Sequence, residues 1–419
     1  MEKLFRKKST YILLLLLFWG FIYRLILLGF VQQFLIYDMD YYRIIAEKMM
    51  EGEIVADILG KTFGYPAFLA ALFTIFGKGN FLAVKMVQIL LDLGVAMMIF
   101  SVACTHFGRR AGWISFILAL FCPITAVFTG LILPETLTMF LICLLLFILT
   151  RIQFGEKSIW WIGFGGVLGY LLFTRFQFYY FVFFLILMLG FLCIKKGKRI
   201  GFIAITILCV LLTSSYTLFA NYRLFHTISL GPLKSMTWTF LYFNYFGIQY
   251  PELLSEIDFS PNFYGNVMTE FLQTAYEKKY DELDRLNAGY KASFLSEFPN
   301  KWPTFVKNVF KNFLLLWDKR ILAPYTDPFH PNDVWILRIG NLVLVSMFAT
   351  GIIRFVSTLG KNAFHSPLFL FTMSLLSYMA VLFSLVSNES RHTISFYPLI
   401  YLWGGLGIVY WIKKLRVGH

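Results

Sequence analysis

Charged side chains are scarce in this chain, so those at the ends of its apolar runs stand out as places for chemistry. Asp38 and Asp40 stand two residues apart just beyond the first long apolar run. Two such carboxylates can share a divalent cation, or one can act as general base while the other orients it. A helix starting there would favour their ionised forms, and N-capping of that helix is the competing duty. Glu135 follows Pro134 at the start of another run, where it either joins an acidic site or answers the helix dipole. Arg175 and Arg391-His392 are basic groups at run ends. A planar guanidinium there suits bidentate contact with a phosphate at headgroup level, against the plainer reading of snorkelling and interfacial ion pairing. Lys85, near the start of the second run, can reach the same surface. Arg24 and Asp92 lie deeper in two separate runs and read as an ion pair between helices.

The chain has no glycine-rich phosphate loop, no His-Glu-x-x-His motif and no nucleophile elbow, which argues against ATP hydrolysis within it. An enzyme at the outer face would have to receive its energy in a lipid-linked donor. Cys104, Cys122, Cys143, Cys193 and Cys209 fall in or beside apolar runs without metal-type spacing and read as packing residues.

The elements that must position these groups are membrane helices. Of 419 residues, 58% are hydrophobic and 14% charged, where soluble chains have about 45–50% and about 25%. The apolar periodicity places spans at roughly 10–30, 81–105, 112–130, 134–150, 159–174, 178–194, 200–220, 334–355, 367–387 and 394–412. The fold expected is an all-α polytopic membrane protein of about ten transmembrane helices. The first is too long for a cleaved signal segment and reads as retained. The net charge of +14 could point to nucleic acid, but the basic residues gather at run ends assigned to the cytoplasm, such as Lys7-Lys8, Arg109-Arg110, Lys195-Lys196 and Lys413-Lys414. This positive-inside asymmetry puts both termini in the cytoplasm, and no nucleic-acid partner is expected.

The organisation expected is a transmembrane module over 1–220, an outer loop region over 221–333 and C-terminal helices over 334–419. The first outer loop, 31–80, is too polar and broken to span. Tyr41, Ile44, Ile45, Lys48 and Met49 recur there at helical spacing, which predicts a helix lying on the membrane surface. A second short helix, 67–76, follows Gly64-Tyr65-Pro66 and is too short to cross. In the large outer loop between helices 7 and 8, 276–290 reads as a polar helix and 301–317 as an interfacial one. Asn388-Glu389-Ser390 is an N-glycosylation acceptor only in a eukaryotic secretory compartment. Nothing else argues for one, and a bacterial plasma membrane is expected.

Four stretches, in order, carry a resemblance. Asp38-Met39-Asp40-Tyr41-Tyr42 with Ala46 resembles a first-loop acidic motif. Gly64-Tyr65-Pro66-Ala67-Phe68-Leu69-Ala70 resembles a flat helix with a Tyr-Pro start. Leu133-Pro134-Glu135-Thr136-Leu137 resembles a helix start bearing a second acid, and Arg391-His392 with Tyr397-Pro398 a basic-to-proline segment. Together they resemble the GT-C superfamily of membrane glycosyltransferases, nearest to family 39, the protein O-mannosyltransferase and aminoarabinose-transferase group.

The resemblance implies transfer of a sugar from a polyprenyl-phosphate donor in the membrane lipid to a hydroxyl of a glycan, lipid or protein acceptor, with inversion. It implies Asp38 or Asp40 as general base, Asp40 ahead because it precedes the tyrosine pair, with Glu135 assisting. Lys85, Arg175, Arg391 and His392 would hold the donor phosphate, and Tyr41, Tyr42 and Tyr65 the sugar or acceptor. Some relatives use a divalent cation such as Mg2+ or Mn2+, for which Asp38, Asp40 and Glu135 would be the ligands. The alternatives are a polysaccharide polymerase or ligase, which would rely on outer-loop basic residues, and a transporter or flippase of a lipid-linked substrate, which would show paired broken helices or repeats.

Overall fold

The computed structural model describes residues 2–30, 35, 38–55, 62–154, 157–195, 201–231, 237–238, 241–242, 274, 279–319, 333–386 and 390–417. Among them the helices are, in order, α1 (Glu2–Phe30), α2 (Asp38–Met50), α3 (Gly64–Phe76), α4 (Phe81–Phe107), α5 (Arg109–Phe121), α6 (Pro123–Ala126), α7 (Glu135–Phe154), α8 (Ser158–Thr174), α9 (Tyr179–Lys195), α10 (Gly201–Thr213), α11 (Ser215–Phe225), α12 (Tyr280–Trp317), α13 (Asp333–Leu359), α14 (Pro367–Val386) and α15 (Tyr397–Val417). Short 3-10 turns stand at Val127–Gly130, Phe176–Phe178, Gly360–His365 and Ser390–Phe396. Much of the large loop, including 243–273 and 320–332, and Asn388-Glu389 of the glycosylation triplet lie outside the described residues.

The chain is a multi-pass membrane protein. Six helices among the described residues are long and apolar enough to cross a membrane, or up to eight if each of two bent pairs is one span. The remaining two of the ten expected positions hold the shorter apolar helices Ser158–Thr174 and Phe176–Gly190. Seventeen residues in α8 make about 26 Å, against a hydrocarbon core of about 30 Å. By length and composition, six to eight helices among the described residues qualify as spans. The bent pairs break by 47° between α5 and 123–130 and by 49° between α10 and α11.

Lipid gives little hydrophobic drive to join helices, so they meet where small residues let backbones approach. α13 and α15 do so at Gly351 and Gly407, where a Cβ on either would collide with the facing backbone, at Trp403 and Met347 respectively. α15 also packs on α4 and α5, so the first and last parts of the chain share one core. α1 lies at the edge, exposing Tyr11, Leu14, Leu15 and Phe18. It is pinned by Arg24, fully buried, whose guanidinium donates to Asp92 Oδ2 at 2.8 and 2.5 Å and to Leu120 O at 2.9 Å. The pair expected from the sequence is thus a structural clasp between α1, α4 and α5.

The first-loop helix α2 buries one face, which includes Tyr41 and Ile45 of the expected apolar stripe. α2 turns Met39, Tyr41, Tyr42, Ile45 and Ala46 into the protein, with Met49 packed against the core beside them. It packs on α3, which runs 13 residues and begins at Gly64 rather than 67. The two helices read in the loop at 276–290 and 301–317 belong to one element, α12, whose regular geometry breaks at Lys301 (φ −124°, ψ 16°) between Pro299 and Pro303. Pro303 supplies no amide hydrogen and crowds the preceding turn, which accounts for the kink.

Gly64 is where α3 meets the end of α8. A Cβ there would lie 2.6 Å from both the backbone N and Cα of Thr174, and Gly64 O accepts from Tyr170 Oη at 3.0 Å. Backbone cannot yield as a side-chain tip can. Gly64→Ala is expected to destabilise the protein by about 1–3 kcal/mol through overpacking, and to lower activity because Tyr65 and Arg175 flank the contact. Thermal unfolding in detergent together with turnover checks this; an unchanged midpoint would show that the contact relaxes.

Candidate active site

The topology brings the start of α2, the start of α7, the end of α8 and the start of α15 to one end of the bundle. Asp38 and Asp40 both stand in the first turn of α2, but residues two apart on a helix point in nearly opposite directions. Asp38 turns inward, and its Oδ2 accepts from Arg391 Nη2 at 2.7 Å, across 353 residues of chain. Asp40 turns outward, with 39% of its side chain exposed, and binds Arg43 at 2.8 Å. Arg43 also holds Glu47, which meets Lys78 at 3.5 Å, so Asp40 belongs to a surface ladder of charges.

Glu135 opens α7 with only 2% of its side chain exposed, and its Oε1 accepts from Arg175 Nη2 at 2.6 Å. Its second oxygen, Oε2, and Arg175 Nε are both buried and have no hydrogen-bond partner. Buried polar atoms are nearly always satisfied, and here an acceptor and a donor of one ion pair are both left open among the described residues. Arg175 is set by the turn that ends α8, where its amide donates to Leu171 O, and Tyr378 Oη anchors the next turn by donating to Gln177 O at 2.8 Å.

Tyr42 stands among the two pairs. Burial pushes its phenol well above the ordinary value; Asp38 adds to this and Arg175 opposes it, with Glu135 and Arg391 acting more weakly. Its ring meets Tyr41 at 6.1 Å and Tyr65 at 5.2 Å, both edge to face. Tyr65 is fully buried, its phenol also pushed up by burial and then by Glu135. Both hydroxyls therefore stay neutral. Tyr65 Oη donates to Gln88 Oε1 at 2.9 Å, and Gln88 Nε2 donates to Thr129 O and Leu131 O at 3.0 and 2.8 Å. Gln88 thus ties α3, α4 and the turn before α7 together. An uncharged residue inside an apolar run gave no signal for that role.

The remaining candidates divide. Lys85, half-buried one turn before Gln88, makes no ion pair or hydrogen bond among the described residues. His392 is buried, its ring stacked on Phe383 at 4.5 Å and 13°, which makes it a packing group of the Ser390–Phe396 turn. Sequence reading also passed over Lys319, fully buried behind that turn. Desolvation lowers its ammonium to about 7, only partly opposed by Asp318.

The donor set does not suit a divalent cation. Asp38, Asp40 and Glu135 each face a guanidinium, and among the described residues no three His, Cys, Asp or Glu side chains converge as ligands. The acids expected to share a metal are separated by the geometry of α2.

Residues 61–220 match the family described as dolichyl-phosphate-mannose-protein mannosyltransferase. Lys85, Glu135 and Arg175 fall within the matched segment; Asp38 and Arg391 lie outside it. No curated protein matches the sequence. Among solved structures, ArnT from Cupriavidus metallidurans bound to undecaprenyl phosphate is similar at 13% identity and a TM-score of 0.44, over 96% of this chain and 78% of that one. The archaeal oligosaccharyltransferase AglB from Archaeoglobus fulgidus, in complex with an inhibitory peptide and a dolichol-phosphate, is similar at 12% identity and a TM-score of 0.49. That alignment covers 98% of this chain and 51% of AglB, so the chain spans about half its length.

Proposed function

We propose that the protein transfers a sugar from a polyprenyl-phosphate donor to an acceptor hydroxyl, at the outer face of a bacterial plasma membrane, with Asp38 as general base. The observation that carries this reading is the juxtaposition of Asp38–Arg391 and Glu135–Arg175 around Tyr42. Without substrate each guanidinium neutralises an acid. A donor phosphate competes for Arg391, and a carboxylate relieved of its guanidinium becomes a stronger base. Asp38 then takes the proton of the acceptor hydroxyl. That oxygen attacks the anomeric carbon from the face opposite the phosphate, the bond to the phosphate oxygen breaks, and configuration inverts. Polyprenyl phosphate leaves with the electron pair, its charge met by Arg391, Arg175 and Lys85. Glu135 Oε2 accepts from a hydroxyl of the sugar or acceptor, and Tyr41, Tyr42 and Tyr65 wall the pocket. The arginines do the charge neutralisation that a metal would do. Glycans, lipids and proteins all offer such an acceptor hydroxyl.

The test is a reconstituted assay with a panel of polyprenyl-phosphate sugars. Release of polyprenyl phosphate with inverted product supports the reading, whereas no release from folded protein with any donor would remove it. One observation favours a second reading, a transporter or flippase of a lipid-linked substrate: the two bent helix pairs. Their breaks are filled by protein, since Thr125 Oγ1 hydrogen-bonds Tyr401 Oη at 3.1 Å and Ser214 Oγ donates to Gly169 O at 3.4 Å. Movement of the lipid across the bilayer without sugar release, in the same vesicles, would favour transport.

A further inference from the structure

Behind the Ser390–Phe396 turn, the end of α12 is tied to the start of α15 by a set of hydrogen bonds. Lys319 Nζ donates to Thr393 Oγ1 and, at 3.4 Å, to Leu316 O. Thr393 Oγ1 donates to the same Leu316 O at 3.0 Å. Tyr397 Oη donates to Asn341 Oδ1, and Asn341 Nδ2 donates to Trp317 O, both at 2.5 Å. Lys319 Nζ also lies 5.3 Å from the centre of the Tyr397 ring. Thr393 and Ser395 are 2% exposed and Lys319 likewise, so the set is closed to water.

A lysine at such a depth is an expensive way to hold a threonine. Desolvation of an ammonium disfavours its charge, and an apolar side chain would fill the volume at no such cost. Its place gives the reason. Thr393 is two residues from Arg391, the guanidinium that meets Asp38, and the charges acting on the intervening His392 are Arg391, Arg175, Asp38 and Lys319. A positive charge behind this turn adds to the potential that an arriving phosphate meets. Among the described residues Asp318 acts on Lys319 in the opposite sense to desolvation and is itself bound by Arg338 at 2.8 Å.

We propose that Lys319 is a positioning residue of the donor site: through Thr393 it fixes the turn that presents Arg391, and its ammonium favours the phosphate of the lipid donor. The proposal rests on the donor reading given above. Because Lys319 loses its proton at about 7, the contribution is present below that pH and is lost as pH rises through it. Bound phosphate moves the loss upward, since an anion stabilises the ammonium.

The experiment measures binding of a short-chain polyprenyl phosphate to the full-length protein in detergent, across pH, and donor KM and kcat in the assay above. Lys319→Met is expected to weaken binding by about tenfold below neutral pH, the effect of losing one charge-assisted hydrogen bond that positions the turn together with the nearby charge. Donor KM should rise in parallel with kcat little changed. Wild-type affinity should fall as pH rises through neutrality, and the gap to Lys319→Met should close. The phosphate's own second ionisation, near pH 6, is common to both proteins and cancels in that difference. Thr393→Val should weaken binding less, and Lys319→Arg should keep affinity while flattening its pH dependence, because arginine does not titrate in this range. Wild-type affinity in a folded Lys319→Met protein at every pH, or a loss confined to kcat, overturns the role of Lys319 alone. Absence of binding by the wild type overturns the donor reading and this proposal with it.

Discussion

Replacing Asp38 by Asn should lower kcat by about 10²–10⁴-fold, the range that a positioned general base contributes, with little change in stability. The amide keeps the shape and can still accept from Arg391 through its oxygen, but it cannot take the proton of the acceptor hydroxyl. Asp40→Asn should change kcat far less. Its carboxylate is 39% exposed and engaged with Arg43, and exposed pairs of this kind contribute about 0.2–1 kcal/mol. Turnover of both variants, with binding of polyprenyl phosphate as a check on the fold, decides between the two acids. A dead Asp40→Asn beside an active Asp38→Asn would reverse the assignment, and equal losses would mean that α2 presents both to the substrate.

The largest effect on stability is expected at Arg24. Removing one partner of a buried ion pair costs about 3–5 kcal/mol, because the other charge is left without compensation. Arg24 and Asp92 are 0% and 2% exposed in their side chains, and Arg24 also serves the carbonyls of Gly20 and Leu120. Arg24→Met should therefore lower the thermal midpoint sharply and loosen α1. The double variant Arg24→Met with Asp92→Leu should recover much of the loss, since an apolar pair of similar volume is often as stable as the ion pair it replaces. A double variant no better than the single would show that the carbonyl contacts, rather than the charge pair, hold α1 in place.

These two sites also mark how far the sequence could be read. Arg24–Asp92 was legible because a charge deep in an apolar run must find its opposite, and each run offered one. Asp38, Glu135, Arg175 and Arg391 were legible as candidates for a similar reason: polar groups at the ends of apolar runs are few. Their pairing was not, since Asp38 meets Arg391 across 353 residues and Glu135 meets Arg175 across 40. Asp40 looked the better base because it precedes two tyrosines, but the 100° step of a helix turns it away from its neighbour. Lys319 stood in a loop rich in charge and carried no mark of burial, and Gln88 carried no charge to notice.

By itself the sequence determined that this is a helical membrane protein and where most of its helices run. Hydropathy and the distribution of basic residues act locally, residue by residue along the chain, and need no partner to be read. It also narrowed the chemistry to a handful of acids and cations. Only the tertiary structure decided which face of α2 turns inward, which acid meets which arginine, that three carboxylates do not gather as a metal site, and that a lysine lies buried behind the turn bearing Arg391. Those outcomes depend on the packing of helices distant in sequence, where one glycine or one helical step changes which side chain reaches the site.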